Sequence, residues 1–171
     1  MKIIGFTYLD GQAEMMLRCD SCLLNGGKPF FMPEEGADMR ATRCIVLRVS
    51  RLGKGIQAKF ANRYYDAWAP GLDIIDHARL AEARANSHSW TEAIAADYSL
   101  PLGEWTESQP LPDAPYCLSA AEAIERISRV MTIRQGDLIY IDYAEEATPL
   151  VREQVITGPQ GQEDKLYCKI K

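Results

Sequence analysis

The sequence predicts an α+β fold dominated by strands, a mixed sheet flanked by short helices. Three observations carry this. Stretches of alternating, β-branched residues recur along all 171 residues. Only one long segment has helical periodicity, and it carries its own start signal. Gly, Pro and Asn punctuate the chain at turn-sized intervals rather than in linkers.

Lys2 to Tyr8 alternates and is rich in strand formers. Leu9 to Arg18, with Ala13, Met15, Met16 and Leu17, reads as a short helix capped by Asp10. Asn25-Gly26-Gly27 marks a turn, and Pro29 and Pro33 bracket an extended piece through Phe30 and Phe31. Thr42 to Leu52 is the clearest strand, closed by Gly53-Lys54-Gly55. Tyr64 to Ile75 is expected to be extended, with a kink or bulge at Pro70-Gly71. Arg79 to Ala85 favours helix, and Ser89 or Thr91 can cap a second short helix through Ala96. Glu107 to Pro115 reads as a surface crossing. Ser119 to Val130 is the strongest helix, because Ser119 and Glu122 form a capping box and Ala123, Ile124, Ile127 and Val130 line one side. Asp137 to Tyr143 is a buried strand. Val151 to Thr157 and Lys165 to Lys171, joined through Gly158-Pro159-Gln160-Gly161, form a terminal hairpin. Size and the absence of a linker point to a single domain over 1–171.

Composition narrows the function classes. A formal charge of −5 leaves no basic surplus for phosphate backbones, which disfavours nucleic acid as a partner. No apolar run is long enough to cross a bilayer, and the opening residues lack a secretory pattern, so the expected location is cytoplasmic. Five cysteines, an odd number, fit reduced thiols. Cys19 and Cys22 form the only close pair, and without a second pair they read as ordinary thiols rather than a zinc or redox site.

The run Gly71 to Trp105 is the most specific in the chain. It holds Gly71-Leu72-Asp73, then Trp90, Ile94 and Asp97, and then Pro101-Leu102-Gly103 before Trp105. It resembles the fumarylacetoacetate hydrolase family, whose pattern here is Gly-x-Asp, Trp-x-x-Ala-Lys-x-x-Asp and Pro-Leu-Gly-x-Trp. Ile3-Ile4-Gly5 through Glu14, and Ile127-Ser128 through Leu138-Ile139, are similar to further family segments. The resemblance implies a rolled mixed β-sheet, a homodimer, and magnesium- or manganese-dependent chemistry on small oxo or enol acids. Such chemistry relies on carboxylate oxygens holding a hard dication that stabilises an enolate.

The family's functional positions are largely replaced. Its Glu-x-Glu falls on Ala41-Thr42-Arg43, its histidine on Gly11 and its lysine on Ile94. Asp73, Glu14 and Asp97 are retained. Asp73 is thus the one candidate metal ligand, and a single carboxylate is insufficient to hold the ion. Glu14 and Asp97 are the candidate catalytic residues. Arg43, His77, Asp142 and Tyr143 are candidates for binding an anionic substrate, with Arg43 expected to face Asp73 in place of the metal. Each also has an ordinary role: Asp73 as an acceptor at a bend, Glu14 as a solvated residue, Asp97 as a brace of the Pro-Leu-Gly corner, and His77 at a helix start. Two functions follow from this inventory. One is a pseudoenzyme that binds a small ligand or acts as an interaction protein, without cofactor. The other is an active hydrolase, isomerase or decarboxylase on oxo or enol acids, using Arg43 or a site rebuilt from Asp73 and Asp142, with Mg2+ or Mn2+ as the family's ion.

Overall fold

A computed structural model describes residues 1–33, 37–107, 110–159 and 161–171. In chain order the described strands are β1 Ile3–Leu9, β2 Gln12–Arg18, β3 Leu23–Leu24, β4 Met39–Val49, β5 Tyr65–Asp76, β6 Leu100–Pro101, β7 Leu138–Asp142, β8 Thr148–Pro149, β9 Val155–Thr157 and β10 Tyr167–Lys169. The α-helices are α1 His77–Ala85, α2 Thr91–Ile94 and α3 Ala120–Val130. Two compact units form, each from three separate segments. One comprises Met1–Asp20, Cys44–Ala69 and Trp105–Glu146, and the other Ser21–Arg43, Pro70–Glu104 and Ala147–Lys171.

In the first unit, β2 pairs antiparallel with β1, β1 lies parallel to β7, and β7 pairs antiparallel with the Cys44–Arg48 part of β4. Alternation along these strands separates two faces. Ile4, Phe6, Ile45, Leu47, Ile139 and Ile141 point to one side and bury against Ala123, Ile124 and Ile127 of α3. That helix begins as its sequence requires. The Ser119 side chain accepts from the Glu122 N–H, and the Glu122 carboxylate accepts from the Ser119 N–H.

The segment after Asp10 corrects the expected helix: it is strand β2. Asp10 and Gly11 both have positive φ, 50° and 80°, and Leu9 pairs with Gln12 across a two-residue turn. Asp-Gly is the preferred dipeptide for such a tight hairpin turn. Asp10 is therefore a turn residue, not a cap. Ala13 and Met15 pack against the core while Leu17 stays exposed, so tertiary pairing outweighs the helix propensity of the methionines.

In the second unit, Leu24, Phe30, Met39, Ala41, Leu72, Ile74, Leu150, Leu166, Cys168 and Ile170 form the core. β8 pairs with β4 at Arg40 and Ala41, β3 lies parallel to β6, and β9 and β10 form the expected C-terminal hairpin. The Pro-Leu-Gly corner is held by Gly71 bridging Leu102 and by the Gly103 N–H donating to the Pro70 carbonyl. A Cβ on Gly103 would collide with Pro70 and the Lys165 carbonyl, so glycine is required there. The second helix is shorter than expected. α2 ends at Ile94, and its entry residue is Trp90, with Ser89 Oγ accepting from the Thr91 N–H and also bonded to Thr91 Oγ1. Cys19 is exposed and Cys22 buried, and neither is in a disulfide. Among the described residues no helix is long and apolar enough to cross a membrane.

Candidate functional site

A group of charged residues of the second unit gathers where β5 passes into α1. Asp76 ends the strand and caps the helix, its carboxylate accepting from the N–H groups of Ala78 and Arg79. The same oxygen accepts from the Asp38 N–H, and the His77 N–H donates to the Asp38 carbonyl. Asp38 in turn receives Arg40 as a two-pronged fork, with Nη2 at 2.7 Å and Nε at 3.0 Å. Arg40 holds the Asp38 carboxyl below its ordinary value, mainly through these hydrogen bonds.

His77 lies half-buried among these charges. Burial, then the positive charge of Arg40, pushes its imidazole below the usual histidine range, and Asp38 and Asp73 oppose this only in part. The ring is therefore kept neutral near pH 7. Arg84 also acts on it and lies over the Trp90 ring, 4.9 Å from the centroid. Asp73 is 1% exposed.

Strand alternation decides what shares a face with Asp73. Leu72 and Ile74 enter the core, so Asp73 points to the reverse. Met39 and Ala41 enter the same core, so Arg40 and Thr42 point to Asp73's side of the sheet and Arg43, which is exposed, takes the side of Met39 and Ala41. The strand geometry therefore gives Arg40, rather than Arg43, the place of a fixed cation on the Asp73 face. Arg40 was legible in principle, since the apolar parity of Met39 and Ala41 marks which residues of the strand face away.

The remaining candidates have other surroundings. Asp97 is exposed, next to Tyr98 with φ of 62°. Ile94, at the family's lysine position, is a buried apolar residue. Glu14, Asp142 and Tyr143 belong to the first unit. Glu14 is partly buried opposite Thr7 on the β1–β2 ladder. Asp142 is completely buried, and its Oδ2 accepts from the Tyr8 N–H at 3.0 Å. Tyr143 packs edge-on against Tyr116 with ring centroids 5.3 Å apart. Burial, then the Asp142 charge, pushes the Cys117 thiol up to about 12, so it is a protonated, unreactive group.

On the face of this unit away from α3 lies a buried polar set that sequence reading does not single out. The Tyr140 hydroxyl is 3.1 Å from Thr7 Oγ1 and 3.4 Å from Arg18 Nε, and the Arg18 guanidinium also lies over the Tyr140 ring. Gly5 makes room for it, since a Cβ there would run into the Tyr140 ring and carbonyl.

A magnesium or manganese ion requires about six oxygen ligands, several of them carboxylates when the protein supplies them. Among the described residues no three His, Cys, Asp or Glu side chains converge for a metal. Asp73 shares its face with a guanidinium and a hydroxyl from β4, and this donor set does not fit a hard dication.

No family model matches the sequence. The mitochondrial oxaloacetate decarboxylase of Dictyostelium discoideum is 24% identical over 156 residues, spanning 80% of this chain and 72% of that protein. Among solved structures, a fumarylacetoacetate hydrolase family protein from Yersinia pestis superposes with a TM-score of 0.87 at 14% identity, covering 99% of this chain and 92% of its own. Fumarylpyruvate hydrolase from Pseudomonas aeruginosa, solved with Mn2+ and pyruvate, gives 0.84 at 16% identity, with 99% and 88% covered. The 2-hydroxyhepta-2,4-diene-1,7-dioate isomerase of Mycobacterium marinum gives 0.80 at 17%, with 99% and 73% covered. The expected mixed sheet with short helices is thus the fold these proteins share.

Proposed function

From a chain with the fumarylacetoacetate hydrolase fold, we propose a protein that binds a small oxo or enol carboxylate through fixed side-chain charges instead of a divalent metal. The observation that carries this is the pair Arg40 and Thr42 on the Asp73 face of β4. Arg40 is oriented by its fork to Asp38, and His77 is kept neutral beside it. A guanidinium is a planar carboxylate receptor, and since Asp38 takes the Nε and Nη2 edge, a substrate carboxylate meets the outer Nη edge of Arg40. Asp73 balances the cationic charge, a use of one carboxylate that needs no co-ligands.

Thermal shift with pyruvate and oxaloacetate tests this, since a ligand that binds the native state raises its stability by mass action. Stabilisation is expected in excess EDTA as well as in Mg2+ or Mn2+, and it is lost in Arg40→Ala. Saturable stabilisation by Mn2+ alone, abolished in Asp73→Asn, would show a working metal site and overturn the reading. A second reading, an active decarboxylase, hydrolase or isomerase on the same acids, is favoured by the name of the Dictyostelium relative. In that case His77 accepts or returns the proton that the enolate exchanges. Following oxaloacetate loss by absorbance in wild type and His77→Gln separates the two.

A further inference from the structure

The first unit carries a cationic pocket that the reading above does not use. From Ser50 to Tyr65 the sequence has no acidic residue and four basic ones, Arg51, Lys54, Lys59 and Arg63, in a protein of net charge −5. Lys54, Gln57, Phe60, Arg63 and Tyr64 line a pocket of about 280 Å3 there. Phe60 is 38% exposed and gathers two of the cations, with Lys59 Nζ 4.9 Å and Arg63 Cζ 5.0 Å from its ring centroid. Such contacts hold flexible side chains near one place at little cost.

The backbone beneath is fixed. Gly53 exchanges both its hydrogen bonds with Ile133, the Gly55 N–H donates to the Ser128 carbonyl, and the Ile56 N–H donates to Ser128 Oγ. A Cβ on Gly53 would press into Tyr64 and Ile56, so the loop is closely seated. The carboxylate that reaches this loop, Glu125, accepts weakly from the Ala58 N–H and is engaged by Arg129 at 3.2 Å. Lys54 and Arg63 line the pocket together, and among the described residues no carboxylate lines it, an arrangement that costs repulsion unless an anion relieves it.

We propose that this pocket binds a small multivalent anion of the phosphate class, a phosphate monoester or diphosphate. The Arg63 fork takes two oxygens and Lys54 acts as a point charge beside it. Two cations lining one pocket, with Lys59 beside them over the Phe60 ring, suit a dianion or trianion better than a single carboxylate.

Isothermal titration of the full chain with sodium pyrophosphate and with inorganic phosphate, at constant ionic strength against chloride, provides the test. Saturable binding of pyrophosphate is expected, weaker for phosphate and absent for chloride. Arg63→Ala and Lys54→Ala should each weaken it by about tenfold, the loss of one charge-assisted contact. Phe60→Leu leaves every charge in place but releases Lys59 and Arg63, and is expected to weaken binding as well. All three residues are exposed, and unchanged melting without ligand confirms intact folding. Equal affinity in wild type and the Arg63 and Lys54 variants would overturn the proposal. So would a response to polyphosphate or oligonucleotide with none to pyrophosphate.

Discussion

Replacing Tyr140 by Phe removes one buried oxygen and leaves the surrounding packing in place. Tyr140 is fully buried on β7, and its hydroxyl meets Thr7 Oγ1 at 3.1 Å and Arg18 Nε at 3.4 Å. The stacking of Arg18 over the ring, 5.4 Å from the centroid, is retained by Phe. A neutral hydrogen bond contributes about 1 kcal/mol net, and a donor left unsatisfied in the interior costs about 1–3 kcal/mol. The contact to Arg18 is long, and Thr7 and Arg18 each keep a further interaction, so the loss is about 1 kcal/mol. In a chain of this size that lowers Tm by about 2–4 °C. Urea unfolding should show a lower midpoint with an unchanged slope. Thr7→Val removes the other half of the same bond. The double variant should therefore lose less than the two single losses added together, by about 0.5–1.5 kcal/mol. A Tyr140→Phe loss below about 0.5 kcal/mol, within the range of an unremarkable surface change, or strictly additive single losses, would refute this account of the buried set.

Two further outcomes follow from the fold. Asp137 is buried at the start of β7, and although burial opposes its charge, Lys2 Nζ at 2.6 Å and the N–H groups of Lys2 and Arg134 hold its pKa below the ordinary value. A depressed carboxylate stabilises above its unfolded pKa of about 4 and loses that contribution as pH falls through the folded value. The stability gap between wild type and Asp137→Asn should accordingly be constant from pH 7 to about pH 5 and close in more acidic urea titrations. A gap that widens toward acid would contradict the sign. Gly11 has φ of 80° and nothing within 4 Å of an added Cβ, so Gly11→Ala should cost about 1 kcal/mol from backbone strain alone. Circular dichroism melts measure it, and a neutral result would mean the turn relaxes out of its tight form.

Much of the architecture is legible in the residues. β1, β4, β5, β7, α3 with its capping box, and the C-terminal hairpin lie where alternation, periodicity and turn chemistry place them. β2 is misread because Met15, Met16 and Leu17 favour helix in isolation, while Asp10-Gly11 and the open edge of β1 decide the outcome. Asp73 and His77 stand out in the sequence as candidates, whereas Arg40 does so only once the parity of β4 is fixed. Parity along β4 shifts every side chain to the opposite face with a one-residue change of register, and only the core contacts of Met39 and Ala41 set that register. The charge environment of His77 depends on residues from three elements, so no local pattern contains it.

The interleaving of the two units has a consequence during synthesis. β1 finds its parallel partner β7 only across a sequence separation like the 135 residues between Lys2 and Asp137. At ordinary ribosomal speeds the interval is roughly ten seconds or more, and through it the leading hairpin emerges with Ile3, Ile4 and Phe6 uncovered and one strand edge open. A product arrested before Glu146 therefore contains neither unit complete. Until then the uncovered hairpin is an adhesive fragment, with the kind of surface and open strand edge that aggregate when left exposed.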